Sequence, residues 1–317
     1  MTLLSRIAGL VRDWLVGVLF GVNASTDAFY IAFKIPNFLR RLFAEGAFAQ
    51  SFVPVLAQTK TQEDITAVRQ LLAYTAGTLG LVLAGVTVLA IIGSPLLIAL
   101  YAPGYATWPA PVQRMGSSEM LPWGVALLAL LSLQLYLCYR QGWRKLFKLE
   151  LYALGLLVLG TLAYTAYEIP QSERFNDAAS MLRIMFPYLF FISLVAFASG
   201  VLNTYGNFWA PSFVTVWLNL TLILFALLYS RGLDNPMHGQ ALGVLVAGAV
   251  QLLFLLPFLK KLGLLVKPQW GWRDSKIQRI FKNMLPIIFG SSINQISLLV
   301  DTLIASTLIA GSVSWLY

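Results

Sequence analysis

Charge is scarce in this sequence. Asp, Glu, Lys and Arg make up 11% of its 317 residues, where a soluble domain carries about a quarter, and this argues against a water-soluble globule. Cysteine is scarcer still: Cys138 stands alone, which excludes an internal disulfide and a thiolate metal cluster. The single histidine, His238, is isolated beside Pro236 and reads as incidental. Strict polar–apolar alternation, the mark of outer-membrane strands, is missing. So is a cleavable targeting segment, because Arg12 and Asp13 interrupt the first apolar stretch and no small-residue cleavage site follows.

What the chain has in abundance is apolar length. Hydrophobic residues make up 58% and the mean hydropathy is +0.75. Runs of about 20 apolar residues recur, each long enough to cross a ~30 Å hydrocarbon core as a helix. The expected fold is an all-α polytopic membrane protein, with spans at 3–22, 26–56, 71–101, 121–139, 149–167, 179–202, 211–229, 241–258 and 284–310, and a further one opening at Ser312.

The net charge of +9 is explained by topology rather than by a nucleic-acid partner. With the N-terminus in the cytoplasm and the spans alternating, thirteen basic residues fall in cytoplasmic loops and four (Arg114, Arg174, Arg183, Arg231) on the other side. The segment 270–282 reads as an amphipathic connector, with Trp270 and Trp272 at the interface and Arg273, Lys276 and Arg279 toward anionic headgroups. A new bundle is expected near Met284, where Asp301 sits at a depth comparable to Asp13.

The remaining charges lie where lipid should be. Arg6, Arg12, Asp13, Asp27, Lys34, Arg40, Arg41 and Glu45 cluster in the first two spans, net +2, although each costs ~2.5–3.5 kcal/mol at membrane depth. Asp27, Lys34 and Arg41 recur every seven residues with Glu45 four further on, so an unbroken α-helix would carry them on one face. Pro36 is expected to bend or break that helix and Gly46 to soften it. One reading is a water-filled cationic cavity suited to an anion with an apolar tail, arginine offering a planar fork to phosphate. The pattern also fits a neutralising ladder that holds helices together, or a solvated loop around Asn37 to Glu45.

The run STDAFYIAFKIPNFLRRLFAEGAF from Ser25 to Phe48 closely resembles the hallmark of the MurJ/MviN lipid II flippases. Ser5-Arg6, Gly9, Arg12-Asp13, LNTYG at 202–206, Pro257 with Lys260-Lys261, QIS at 295–297 and the closing GSVSWLY belong to the same resemblance, which covers about 1–105 and 174–317. It implies a MATE-like transporter: a first lobe of six helices, an extra two-helix hairpin, and the start of a second lobe. Helices 1–3 with the charged cavity would occupy 1–105, the hairpin 106–171, helices 4–6 172–259, the cytoplasmic connector 260–282 and the second lobe 283–317.

The resemblance further implies a multi-pass, monomeric protein of the bacterial inner membrane. Its partner would be undecaprenyl-pyrophosphate-linked disaccharide pentapeptide (lipid II), moved between leaflets by alternating access without a cofactor or catalysis. Arg12, Arg40 and Arg41 would hold the pyrophosphate, and Asp13, Asp27 and Glu45 would position them or gate the cavity, beside Arg6 and Lys34. Coupling would be to membrane potential, protons or sodium, with Asp301 a candidate sodium ligand alongside Asn294 and Ser297. Family members have about fourteen spans, so the chain is expected to be an N-terminal fragment. Another exporter of the superfamily, for drugs or O-antigen lipid, is the alternative. A membrane enzyme on a prenyl-phosphate substrate would need acid–base or metal clusters at the interface, and a non-transporting scaffold would need none.

Overall fold

The computed structural model describes residues 2–105, 172–307 and 314. The expected hairpin at 106–171, with Cys138 and the basic loop 140–148, lies outside the described residues. Among the described residues every regular element is helical, as the apolar runs require of a chain whose backbone polar groups must pair within lipid.

Helix α1 (Thr2–Phe20) stops at Gly21, whose φ of +69° is a left-handed cap conformation open to glycine. Asn23 then starts α2 (Ala24–Leu39). Its side chain accepts from the Ser25 and Thr26 amides, and Thr26 Oγ1 accepts from the Asn23 amide in return. The break expected at Pro36 does not occur. The chain stays helical through Leu39, widens into a π-helical segment over Arg40–Phe48 that contains Gly46, and resumes as α3 (Ala49–Gln62). Neighbouring helices can satisfy the backbone groups that a proline frees inside a membrane, and the distortion is taken up four residues later instead.

This widening corrects the single charged face. A π segment closes i→i+5 rings and so advances fewer degrees per residue than an α-helix, a drift that is small at Arg41, its second residue, and turns position 45 away from the common face. Asp27 is buried, Lys34 is half-buried and Arg41 is exposed.

Beyond it come α4 (Ile65–Ile92), α5 (Ser94–Tyr101), α6 (Glu173–Met185), α7 (Pro187–Thr204), α8 (Trp209–Leu224), α9 (Pro236–Lys261) and α10 (Ser275–Ser306). The expected span 71–101 thus divides at Gly93. Among the described residues, four helical stretches are long and apolar enough to cross a membrane: α4, α6 with α7, α8 with the π-helical turn Phe225–Tyr229 that follows it, and α9.

Helix α7 forms the middle of the bundle, touching α3, α4, α8 and α9. Between membrane helices the gain comes from close packing rather than from leaving water, and small residues supply it here. A Cβ at Gly248 of α9 would lie 2.8 Å from the Tyr188 ring. Phe48, Phe52 and Phe197 stack at the junction of the π segment, α3 and α7, with ring centroids 5.2 Å apart for two of the pairs.

Two other contacts set the frame of the site: α1 lies along α8, and α10 lies along the π segment and α3.

The amphipathic stretch expected over 270–282 divides at Asp274, which caps α10 by accepting from the Lys276 and Ile277 amides. Residues 264–271, upstream of it, are irregular rather than helical, and 269–271 are laid on α4. The Gln269 amide donates to the Ala73 carbonyl at 2.9 Å and the Gly271 amide to Thr78 Oγ1 at 3.1 Å. Gly77 permits this approach, since any Cβ there would overlap the Gln269 backbone. Trp270 and Trp272 stack on each other and remain largely exposed.

Candidate functional site

The charged residues of the first two spans form three groups. The first is on α1. Arg12 Nε donates to Asp13 Oδ1 at 2.8 Å, its Nη2 lies 2.7 Å from the same oxygen, and its Nη1 donates to Asn219 Oδ1 at 3.1 Å. Asn219, on α8 and 4% exposed, also donates from Nδ2 to the Ser5 carbonyl at 3.1 Å. Gly9 faces that amide across the helix crossing, where a Cβ would sit in ordinary contact.

The Arg12 side chain is 16% exposed and that of Asp13 51% exposed. A guanidinium has five N–H donors, so these contacts leave Arg12 two donors and a fixed plane. Arg6, two turns earlier, is exposed.

The second group joins α2 to the start of the expected second lobe. Buried Asp27 accepts through Oδ1 from the Ser314 amide at 2.8 Å and from the Ser314 hydroxyl. Lys34 Nζ donates to Thr302 Oγ1 of α10 at 3.2 Å and lies within electrostatic reach of Asp301 and Asp27. Tyr105, just past α5, is buried beside them. Burial first, then the Asp27 carboxylate, push its phenol above the ordinary value, so it stays protonated. Asp301 is exposed, and the side chains of Asn294 and Ser297 lie outside the described residues.

The third group is in the π segment. Asn37, three residues before it, accepts through Oδ1 from Arg40 Nε at 3.1 Å and Nη2 at 2.8 Å. Arg40 thereby borders a cavity of about 330 Å³ lined also by Val53, Ser199, Asn203, Thr215 and Gln251. Gln251 is 1% exposed and donates to the Val214 carbonyl at 2.8 Å. Arg41 is exposed, and the side chain of Glu45 lies outside the described residues.

Sequence reasoning did not find Thr302, Ser314 and Asn37 as partners of these charges. Asn37 had a signal, its i,i+3 spacing from Arg40. Asn219 and Gln251 could be read as lone amides bonding between helices, which is what each does, but nothing local linked Asn219 to a residue 207 positions away. His238 Nε2 lies 2.8 Å from Ser180 Oγ and joins α9 to α6.

Compared with known proteins, residues 16–139 and 146–317 match the family model described as lipid II flippase MurJ. The interruption at 140–145 falls inside the stretch 106–171. The chain is 40% identical over 317 residues to the probable lipid II flippase MurJ of Haemophilus influenzae, covering 100% of this chain and 51% of that one. Against the Vibrio cholerae protein of the same name it is also 40% identical, with 100% and 50% covered. It thus spans about half the length of these relatives. A solved structure of lipid II flippase MurJ in an inward closed conformation superposes with a TM-score of 0.66 at 22% identity, covering 99% of this chain and 51% of that one, a likeness of fold.

Proposed function

Since the chain belongs to the MurJ family of lipid II flippases, we propose that it forms the first lobe of a transporter in the bacterial inner membrane. Acting with a second lobe, it moves the lipid-linked peptidoglycan precursor from the inner to the outer leaflet by alternating access. The observation that carries this reading is Arg12: a charged fork at mid-span, held rigid by Asp13 and Asn219, with donors left for a phosphate oxygen. Orienting a guanidinium beforehand removes part of the ordering cost of binding, and Arg forks suit phosphate.

In this reading Arg12 and Arg40 hold the pyrophosphate, while Arg6 and Arg41 add positive potential. Asp13 positions Arg12, and Glu45 belongs to the same cavity. Asp27 and Lys34 hold the two lobes together on the side facing the outer leaflet. The N-terminus is cytoplasmic, the protein is a monomer, and coupling is to membrane potential or to a cation in which Asp301 takes part.

The test joins this chain to the second half of the Haemophilus influenzae relative and expresses the hybrid in cells depleted of their own lipid II flippase. Rescue is expected. Arg12→Ala and Arg40→Ala should each lower plating efficiency at least about tenfold, since a charge-assisted contact is worth about 1.5–3 kcal/mol. No rescue by an inserted, well-expressed hybrid overturns the transport reading. Full rescue by both variants overturns the site.

A further inference from the structure

A second polar pocket lies away from these charges, between α3 and the first three turns of α10. Its volume is about 300 Å³, and its polar lining is Gln50, Ser51, Gln58, Arg279 and Asn283. Among the described residues, no carboxylate lines it. Glu63, the nearby acid on this side of α3, is engaged by Lys276 at 2.5 Å.

Ser51 is among the lining residues. That residue is 3% exposed, and its Oγ has no hydrogen-bond partner among the described residues. A buried polar atom left unpaired costs about 1–3 kcal/mol, so the position asks for an occupant. The rim is cationic. Arg279 uses one N–H on Gln58 Oε1 at 3.4 Å, and Gln58 in turn gives its amide to Gln62, which leaves the other Arg279 donors, Gln50 and Asn283 to face the opening.

The lining runs along α10 from Arg279 to the apolar Pro286 and Ile287, roughly 12 Å at 1.5 Å per residue. A polar rim grading into an apolar end fits a group that is anionic at one end and apolar at the other.

We propose that this pocket binds a phosphate group, Arg279 and Asn283 meeting its oxygens at the rim and the buried Ser51 hydroxyl donating to another. The phosphate comes either from an anionic lipid headgroup of the adjoining leaflet or from free phosphate. The pocket has one wall on each side of the α3–α10 contact, so an occupant stabilises that contact by its own binding free energy. The proposal is independent of the cargo and of the first-span arginines.

The test uses the full chain purified in a zwitterionic detergent, with thermal unfolding followed against short-chain phosphatidylglycerol, uncharged short-chain diacylglycerol, and inorganic phosphate. A ligand at a hundred times its Kd stabilises the folded state by about 2.7 kcal/mol. Phosphatidylglycerol should raise Tm, and diacylglycerol should not. A rise with inorganic phosphate as well assigns the phosphate alone as sufficient, and a rise with phosphatidylglycerol only assigns the lipid. Arg279→Gln and Ser51→Ala should each weaken binding about tenfold, while Lys267→Gln, an exposed cation of the connector, should leave it unchanged. Absence of any rise overturns the proposal. So does an equal rise in the Arg279→Gln and Lys267→Gln proteins, which would mean diffuse attraction to positive charge.

Discussion

Arg12 shows how a charge is kept inside a membrane span: the carboxylate one residue away neutralises it, and an amide from another helix aims it. The amide is the more informative partner to remove. Asn219→Leu leaves the Arg12–Asp13 pair intact but frees the guanidinium plane and orphans the Ser5 carbonyl. The expected result in the hybrid is partial loss of rescue with a small drop in Tm, whereas Asn219→Asp, which keeps an acceptor toward Arg12, should retain most activity. Loss of rescue with no difference between the two variants would mean that Asn219 acts only as packing.

A second residue-scale prediction concerns Asp64, exposed at the start of α4. The Thr66 hydroxyl first, then the Ala67 amide, hold its carboxyl below the ordinary carboxylate value. A depressed pKa contributes stability that is present above the unfolded pKa of about 3.9 and lost as pH falls through the folded value. The Tm of the Asp64→Asn protein should therefore show a flatter acid limb below about pH 4 than the parent. Identical limbs would remove the cap from the account of acid sensitivity.

Among the elements, the second span is where local pattern and structure diverge most usefully. Apolar runs and charge scarcity made the helices legible. That position 45 turns away from the face of Asp27 and Lys34 was not, because a helical-face spacing assumes 3.6 residues per turn throughout and the π segment Arg40–Phe48 breaks that assumption. Partners such as Thr302 and Ser314, more than 260 positions from the residues they bind, leave no trace in local periodicity.

Two element-scale predictions follow from contacts that glycine and serine make. Gly77→Ala should lower Tm by an amount corresponding to about 1–3 kcal/mol, since the new methyl meets the Gln269 backbone. Gly17→Ala, with open space around it on α1, should be neutral or slightly stabilising. Equal effects would refute the close docking of the connector. The Ser172 hydroxyl, in turn, donates to the Tyr105 carbonyl at 2.7 Å, so the chain leaves and re-enters the described fold at one point. Replacing 106–171 with two glycines should yield a protein that inserts and unfolds within a few degrees of the parent. Loss of insertion would show that the segment is needed for assembly.

For the molecule as a whole, α10 is tied to the first lobe at several levels. Lys276 meets Glu63 at 2.5 Å, Lys34 meets Thr302 at 3.2 Å, and the Gly104 amide meets Ser306 Oγ at 3.3 Å. Under the proposed alternating access some of these ties would part while others hold, and they differ in strength. The Lys276–Glu63 pair is partly exposed on both sides and worth at most about 1 kcal/mol. Beyond the end of α10, the contact of Ser314 with the buried Asp27 carboxylate is the firmer one. Asp27→Asn should loosen it and shift the hybrid toward the arrangement open to the outer leaflet, read as increased labelling of a cysteine placed at Ser25 in a Cys138→Ser background. Unchanged labelling would assign the restraint to another contact.

The docking of residues 269–271 onto α4 has a mechanical consequence. A linker free along its whole length would let two halves drift apart, slide or rotate in any direction. Here the connector is fastened to the first half up to Gly271, and α10 runs as one continuous helix from Ser275 to Ser306. Between them lie only three residues, Trp272 to Asp274, closed into a turn by the Asp274 amide donating to the Gly271 carbonyl at 3.0 Å. So short a tether works as a pivot, leaving rotation about one corner of the first lobe as the motion the covalent chain allows.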